Sequence, residues 1–263
     1  DPIRIISHRG KLSLIQPATG KDVTEMMTRF SESYLDSIPT IDGFILKARS
    51  PSCGIKDVKI FPGIDNSNIL EKRAGFFGQT VLTKFPILPI EDEGRLTNFR
   101  IREHFLTGIF TLASFRALPK SMNDLVQFHT INKYLLMMYS QKTLRELGQI
   151  VANHEKKPVT IVFQEYRNTL FRAFINPPRF SSAINVCMHL LGYFSKHLAA
   201  KEKSFFLDTL DKYRLEKVPL SVPLSILSSW TVRFEVQYLT NQTLFYPYPE
   251  ALTQITDSGK GRD

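Results

Sequence analysis

The chain changes character at Leu118-Pro119-Lys120. Before that point short β-type runs alternate with helical ones, and after it every segment reads as helix. Two packing rules follow, because a sheet needs helices over its faces whereas helices can bury one another. The expected architecture is an α/β domain with a parallel sheet over residues 1–118, followed by an all-α domain over residues 119–263. Proline supplies the boundary, since it bars helix in the residue before it.

Ile3 to Ile6 is an apolar run broken only by Arg4 and reads as a buried strand. Asp22 stands three residues before Glu25, like a capping box. Met26, Phe30 and Tyr34 then recur every four residues, predicting an amphipathic helix to about Ser37 with those three on its apolar face. Gly43 to Ala48 is the next strand, Ser50 to Gly54 a loop, and Val58 to Phe61 extended again before Pro62-Gly63. Strand, helix, strand is the pattern of a parallel sheet. Ile101, Phe105, Ile109 and Leu112 mark a helix that leads to Pro119. Beyond it, helices are expected at Ser121–Ser140, Lys142–His154, Thr160–Ile175, Ser181–Ala199, Lys201–Arg214 and Pro223–Tyr238, with Pro158, Pro177-Pro178 and Pro219 between some of them.

At 43% hydrophobic and 22% charged, the 263 residues can bury a sizeable core, so disorder, collagen and coiled coil are excluded. No apolar run reaches the roughly 18 residues that span a bilayer, and a cytoplasmic protein is expected. The net charge of +9 favours anionic partners. It leans C-terminal: 16 basic less 13 acidic residues before Pro119 give +3, and 18 less 12 from there on give +6. Only two cysteines, Cys53 and Cys187, rule out a disulfide framework or a four-thiolate metal site. The six histidines form no dense zinc motif, and Gly75-Phe76-Phe77-Gly78 lacks the lysine or third glycine of a phosphate-binding loop.

The chemistry concentrates at Cys53. It lies in the loop after a strand, between hydroxyls at Ser50 and Ser52 and a glycine that permits close backbone approach. Lys47, Arg49 and Lys56 would favour its thiolate, the form that attacks and that binds metal. A buried structural cysteine in a turn is the plain alternative. Glu91, Glu93 and Arg95 form a second charged group, which a solvated turn before a helix would equally explain.

These residues also carry a resemblance. Asp42-Gly43-Phe44-Ile45-Leu46-Lys47-Ala48-Arg49-Ser50-Pro51-Ser52-Cys53-Gly54, with Thr19 to Glu25 before it and Pro89 to Leu96 after it, resembles the thiouracil desulfurase family over about residues 1–118. The rest resembles the YbgA-type helical domain at Phe128-His129, Lys133, Tyr139, Leu147-Gly148, Asn185-Val186, His189, Gly192-Tyr193-Phe194, Tyr213-Arg214, Gln242 and Pro247-Tyr248-Pro249.

The resemblance implies removal of sulfur from a thiolated pyrimidine or related thioamide, without net redox change, on a [4Fe-4S] cluster held by three cysteines. Cys53 matches the last of these ligands, and Ser50 a serine that moves a proton or positions the substrate. Lys47, Ser52, Glu93 and Arg95 are the substrate-contact candidates around them. The other two ligand cysteines fall in family segments upstream of the position matching Asp1, so no cluster is expected on the chain as given. With an opening residue other than Met, an upstream segment is expected; the resemblance thus implies an incomplete Rossmann-like parallel sheet, and without its first strand the α/β domain should be destabilised.

In the helical half, Asn185, His189 and Tyr193 share one helical face, and His129 and Lys133 are likewise spaced by four. With Arg214 they are the candidates for a basic, hydrogen-bonding groove. A satisfied buried histidine with exposed neighbours is the bland reading of each. Three functions stay open: a desulfurase, a module that binds RNA or a nucleoside through the basic helical half, and a non-catalytic interaction protein.

Overall fold

In the computed structural model, residues 2–65 and 68–253 are described. They form two compact units, one running to Phe105 and the other beginning at Leu106. The first holds β1 (Arg4–His8), β2 (Lys11–Gln16), β3 (Lys21–Asp22), α1 (Thr24–Ser37), β4 (Phe44–Leu46), β5 (Val58–Phe61), β6 (Glu71–Arg73), α2 (Phe76–Lys84) and β7 (Ile90–Asp92). A short 3-10 turn at Arg95–Thr97 leads into α3 (Phe99–Arg116), inside which the two units part. Pro119 stands between α3 and α4 (Met122–Ile131).

The α/β class holds, but the sheet is mixed where a parallel one was expected. Five strands run in the order β3-β2-β1-β5-β6, and β4 pairs with β7 separately. Only β1–β5 and β4–β7 are parallel among these pairings; β1–β2, β2–β3 and β5–β6 are antiparallel. The cause is local. Arg9 and Gly10 both take positive φ, 50° and 82°, the two-residue turn whose twist suits a hairpin, and it folds β2 straight back on β1. In that register Ile5 stands opposite Leu14 on one side and Ile60 on the other, and all three are buried with Val58.

The stripe expected to bury α1 faces outward. Met26, Phe30 and Tyr34 are 61%, 56% and 48% exposed, and Phe30 and Tyr34 lie against Phe77. The inward stripe is Val23, Met27, Ser31 and Leu35, also spaced by four but set one residue round the helix. Ser31 is tolerated inside because its hydroxyl donates to Met27 O at 2.7 Å.

The second unit continues with α5 (Lys133–Tyr139), α6 (Gln141–Ala152), α7 (Val159–Ala173), α8 (Phe180–Phe194), α9 (Ala200–Arg214), α10 (Ser221–Arg233) and α11 (Gln237–Thr240). Ser121 and Ser140 cap α4 and α6 by accepting the amides of Asp124 and Thr143. Two of the expected helices are broken. Ser121–Ser140 divides at Asn132, which is buried and whose Nδ2 donates to Phe128 O. Pro223–Tyr238 divides at Glu235, with φ at 52°. The core gathers Tyr134, Leu135, Val186, Leu190, Phe194, Phe206, Leu227 and Trp230. Among the described residues no helix is long and apolar enough to cross a membrane.

Candidate functional site

The loop that carries Cys53 leaves the C-terminal end of β4, one of the two parallel strands of the small pair. Glu93 lies one residue beyond β7, and the parallel pairing brings its carboxylate beside the exit of β4. There Oε1 accepts from Lys47 Nζ at 2.5 Å and Oε2 from Ala48 N at 2.7 Å. The Lys47 ammonium, then the Ala48 amide, hold the Glu93 carboxyl below its usual range. Lys47 and Glu93 are thus partners that tie the two strand ends together.

Arg49 then turns the chain through positive φ, 57°. Ser50 Oγ accepts the amides of Cys53 at 3.1 Å and Ser52 at 3.3 Å, and Gly54 N donates to Ser50 O at 2.9 Å. The Ser50 and Ser52 hydroxyls are 3.0 Å apart, and Ser52 Oγ is 3.6 Å from Cys53 Sγ. Cys53 is half-buried against the cluster of Leu35, Leu46 and Val81. Two hydroxyls and a thiol therefore share one turn, able to pass hydrogen bonds toward sulfur. Arg95 turns to β7: its guanidinium grips Glu91 at 2.6 and 3.0 Å, and its amide donates to Asp92 Oδ1 at 2.8 Å.

The helical candidates divide. His129 is half-buried with Nδ1 3.2 Å from the hydroxyl of buried Tyr166. Burial, and then the charge of Lys133, lower its pKa. Arg214 pairs with Asp211 on its own helix. Lys133 and Tyr193 do come together, through two tyrosines that spacing did not disclose. Lys133 Nζ lies 5.5 Å from the Tyr134 ring and 5.9 Å from that of Tyr238. Tyr193 stacks on Tyr238 at 6.2 Å and its hydroxyl meets that of Tyr134 at 2.8 Å. Asn185 and His189 are exposed on α8, the helix that also presents Tyr193.

Residues 1–93 match the 2-thiouracil desulfurase family, and residues 133–249 match DUF1722, a family of proteins of unknown function. The chain joins a desulfurase-like region to a DUF1722 region. A curated relative is the uncharacterized protein YbgA of Escherichia coli (strain K12), 26% identical over 157 residues, which are 58% of this chain and 93% of that protein. No solved structure matches the chain.

Three converging thiolates are needed to hold a cluster with one open iron. The desulfurase-like region offers one, Cys53. Cys187 lies in α8 of the other unit, buried, with its thiol pushed up to about 12. Among the described residues no three His, Cys, Asp or Glu side chains converge as a metal site. The residues present do not fit the cluster.

Proposed function

We propose that the α/β unit is the sulfur-handling part of a desulfurase acting on a small thiolated pyrimidine or a related thioamide. The supporting observation is the turn that sets the Ser50 and Ser52 hydroxyls beside a half-buried Cys53 thiol, at the end of a parallel strand and inside the region matched to the 2-thiouracil desulfurase family. In this reading Ser50 moves a proton or positions the substrate, and the Lys47–Glu93 pair holds the mouth of the turn. Iron-sulfur chemistry requires two thiolates more than this chain places at the site, so these 263 residues alone are expected to be inactive. In this reading the protein works in the cytoplasm, where thiols stay reduced.

The test is anaerobic quantification of iron and acid-labile sulfide, with a visible spectrum and a 2-thiouracil desulfuration assay. It is run on this chain and on one extended upstream in its source reading frame. About four irons and sulfide release in the extended chain alone support the reading. Iron in neither chain, with no sulfide released, overturns it.

A second reading concerns the helical unit. Stacked, partly exposed Tyr193 and Tyr238 beside Lys133 offer a ring surface and a cation, which suits a nucleoside presented within RNA. Binding of a thiolated RNA should weaken steeply as salt rises and fall with Tyr193→Ala. RNA binding that ignores that variant removes this reading.

A further inference from the structure

Gly75-Phe76-Phe77-Gly78 has two glycines spaced as in a phosphate-binding turn, yet the structure gives them another task. A helix begins with four amides that have no partner within it. At the head of α2 three donors of this segment turn to one place: Gly75 N donates to Gly54 O at 2.8 Å, Phe76 N to Pro51 O at 3.1 Å, and Gly78 N to Ser52 O at 2.9 Å. Every acceptor belongs to the Cys53 loop. So close an approach leaves no room for a side chain. A Cβ on Gly75 would stand 2.5 Å from both Pro51 O and Ser52 O, and one on Gly78 would stand 2.4 Å from Gly54 O and 2.8 Å from Cys53 O. Gly75 has φ −74°, open to any residue, so space and not backbone freedom requires glycine there.

The peptide planes explain what this contact controls. The plane joining Pro51 to Ser52 offers its carbonyl to Phe76 N and its amide to Ser50 Oγ. The plane joining Ser52 to Cys53 offers its carbonyl to Gly78 N and its amide to the same oxygen. Pinning the carbonyls from behind therefore aims both amides at Ser50. With its two lone pairs so occupied, Ser50 has its hydrogen left for Ser52 Oγ, 3.0 Å away. Ser52 Oγ in turn stands 3.6 Å from Cys53 Sγ, within reach of a hydrogen bond in which either atom can donate.

We propose that Gly75 and Gly78 are positioning residues, which let the first turn of α2 serve as a backbone seat that fixes the Ser50–Gly54 loop and the place of the Cys53 sulfur against the serine hydroxyls. The inference rests on reading that loop as the site, and it assigns Ser52 the hydrogen bond with sulfur.

The test uses the full chain and native-state alkylation of Cys53 by iodoacetamide at one pH, followed by mass spectrometry, with Cys187 buried and silent. Gly75→Ala and Gly78→Ala should each raise the rate about fivefold or more as the thiol leaves its half-buried seat. Gly63→Ala, whose Cβ meets nothing within 4 Å, should stay at the parent rate. Merely structural glycines would lower the melting temperature and leave the native rate alone; variants that fold and alkylate at the parent rate overturn the proposal.

Should the variants not fold, residue-level hydrogen exchange on the unaltered chain decides. The Gly75, Phe76 and Gly78 amides should be as protected as that of Val81, and exchange at the rate of open amides overturns the seat. Desulfuration enters neither measurement, so the seat and the proposed function stand or fall separately.

Discussion

His129 and Lys133 are four residues apart, yet they do not share a helical face, because Asn132 ends α4 between them. Asn132 Nδ2 donates to Phe128 O at 2.9 Å while Oδ1 accepts from Thr243 Oγ1 at 2.7 Å, so the break is satisfied by a residue far along the chain. A spacing rule reads neighbours in sequence and has no access to Thr243. His129 consequently turns toward Tyr166, and Lys133 toward Tyr134 and Tyr238. By contrast the hydroxyls and thiol of the Cys53 turn were legible, since they fall between Ser50 and Cys53, whereas the seat of that turn on the first turn of α2 was not.

The burial of His129 has a pH consequence with a definite sign. The unfolded chain takes up a proton near the usual 6.5, whereas the folded chain resists it to lower pH. Its contribution is complete above that value and is lost as pH falls through the folded one. Urea midpoints measured from about pH 7.5 down to about pH 5 should therefore drop further for the parent chain than for His129→Gln. Equal drops would show that His129 is not buried neutral.

At the scale of elements, α1 offers two apolar stripes one residue apart, Met26-Phe30-Tyr34 and Val23-Met27-Ser31-Leu35. Periodicity favours the first because two of its three residues are aromatic, whereas the second contains Ser31. The fold uses the second, whose narrower side chains fit against Leu14 and Val58 at one end and Leu46 and Val81 at the other. The difference is measurable. Leu35→Ala should cost about 2 to 4 kcal/mol in urea unfolding, as cavity-forming changes do, while Phe30→Ser should cost less than about 1 kcal/mol. A larger loss at Phe30 would mean that the outward stripe is the buried one. The mixed sheet was hidden for a related reason: Arg9-Gly10 is a hairpin turn by conformation, and arginine does not announce positive φ as asparagine would.

On the scale of the whole molecule, the two units differ in how much they bury. The α/β unit has one cluster of Ile5, Leu14, Val58 and Ile60 and another of Leu35, Leu46 and Val81. The helical unit has a continuous cluster from Tyr134 to Leu244 that includes Phe194, Phe206 and Trp230. Each large apolar side chain fully buried contributes about 1.5 to 3 kcal/mol, so small separate clusters leave the α/β unit the weaker of the two. It should melt first. The single tryptophan, Trp230, sits in α10 and reports on the helical unit alone. Far-UV circular dichroism should therefore show a first loss of structure that tryptophan fluorescence does not follow, and a second that both probes share. Adding the Leu35→Ala change should move only the first. One coincident transition for both probes, shifted as a whole by Leu35→Ala, would mean that the units unfold together and that neither core is independent of the other.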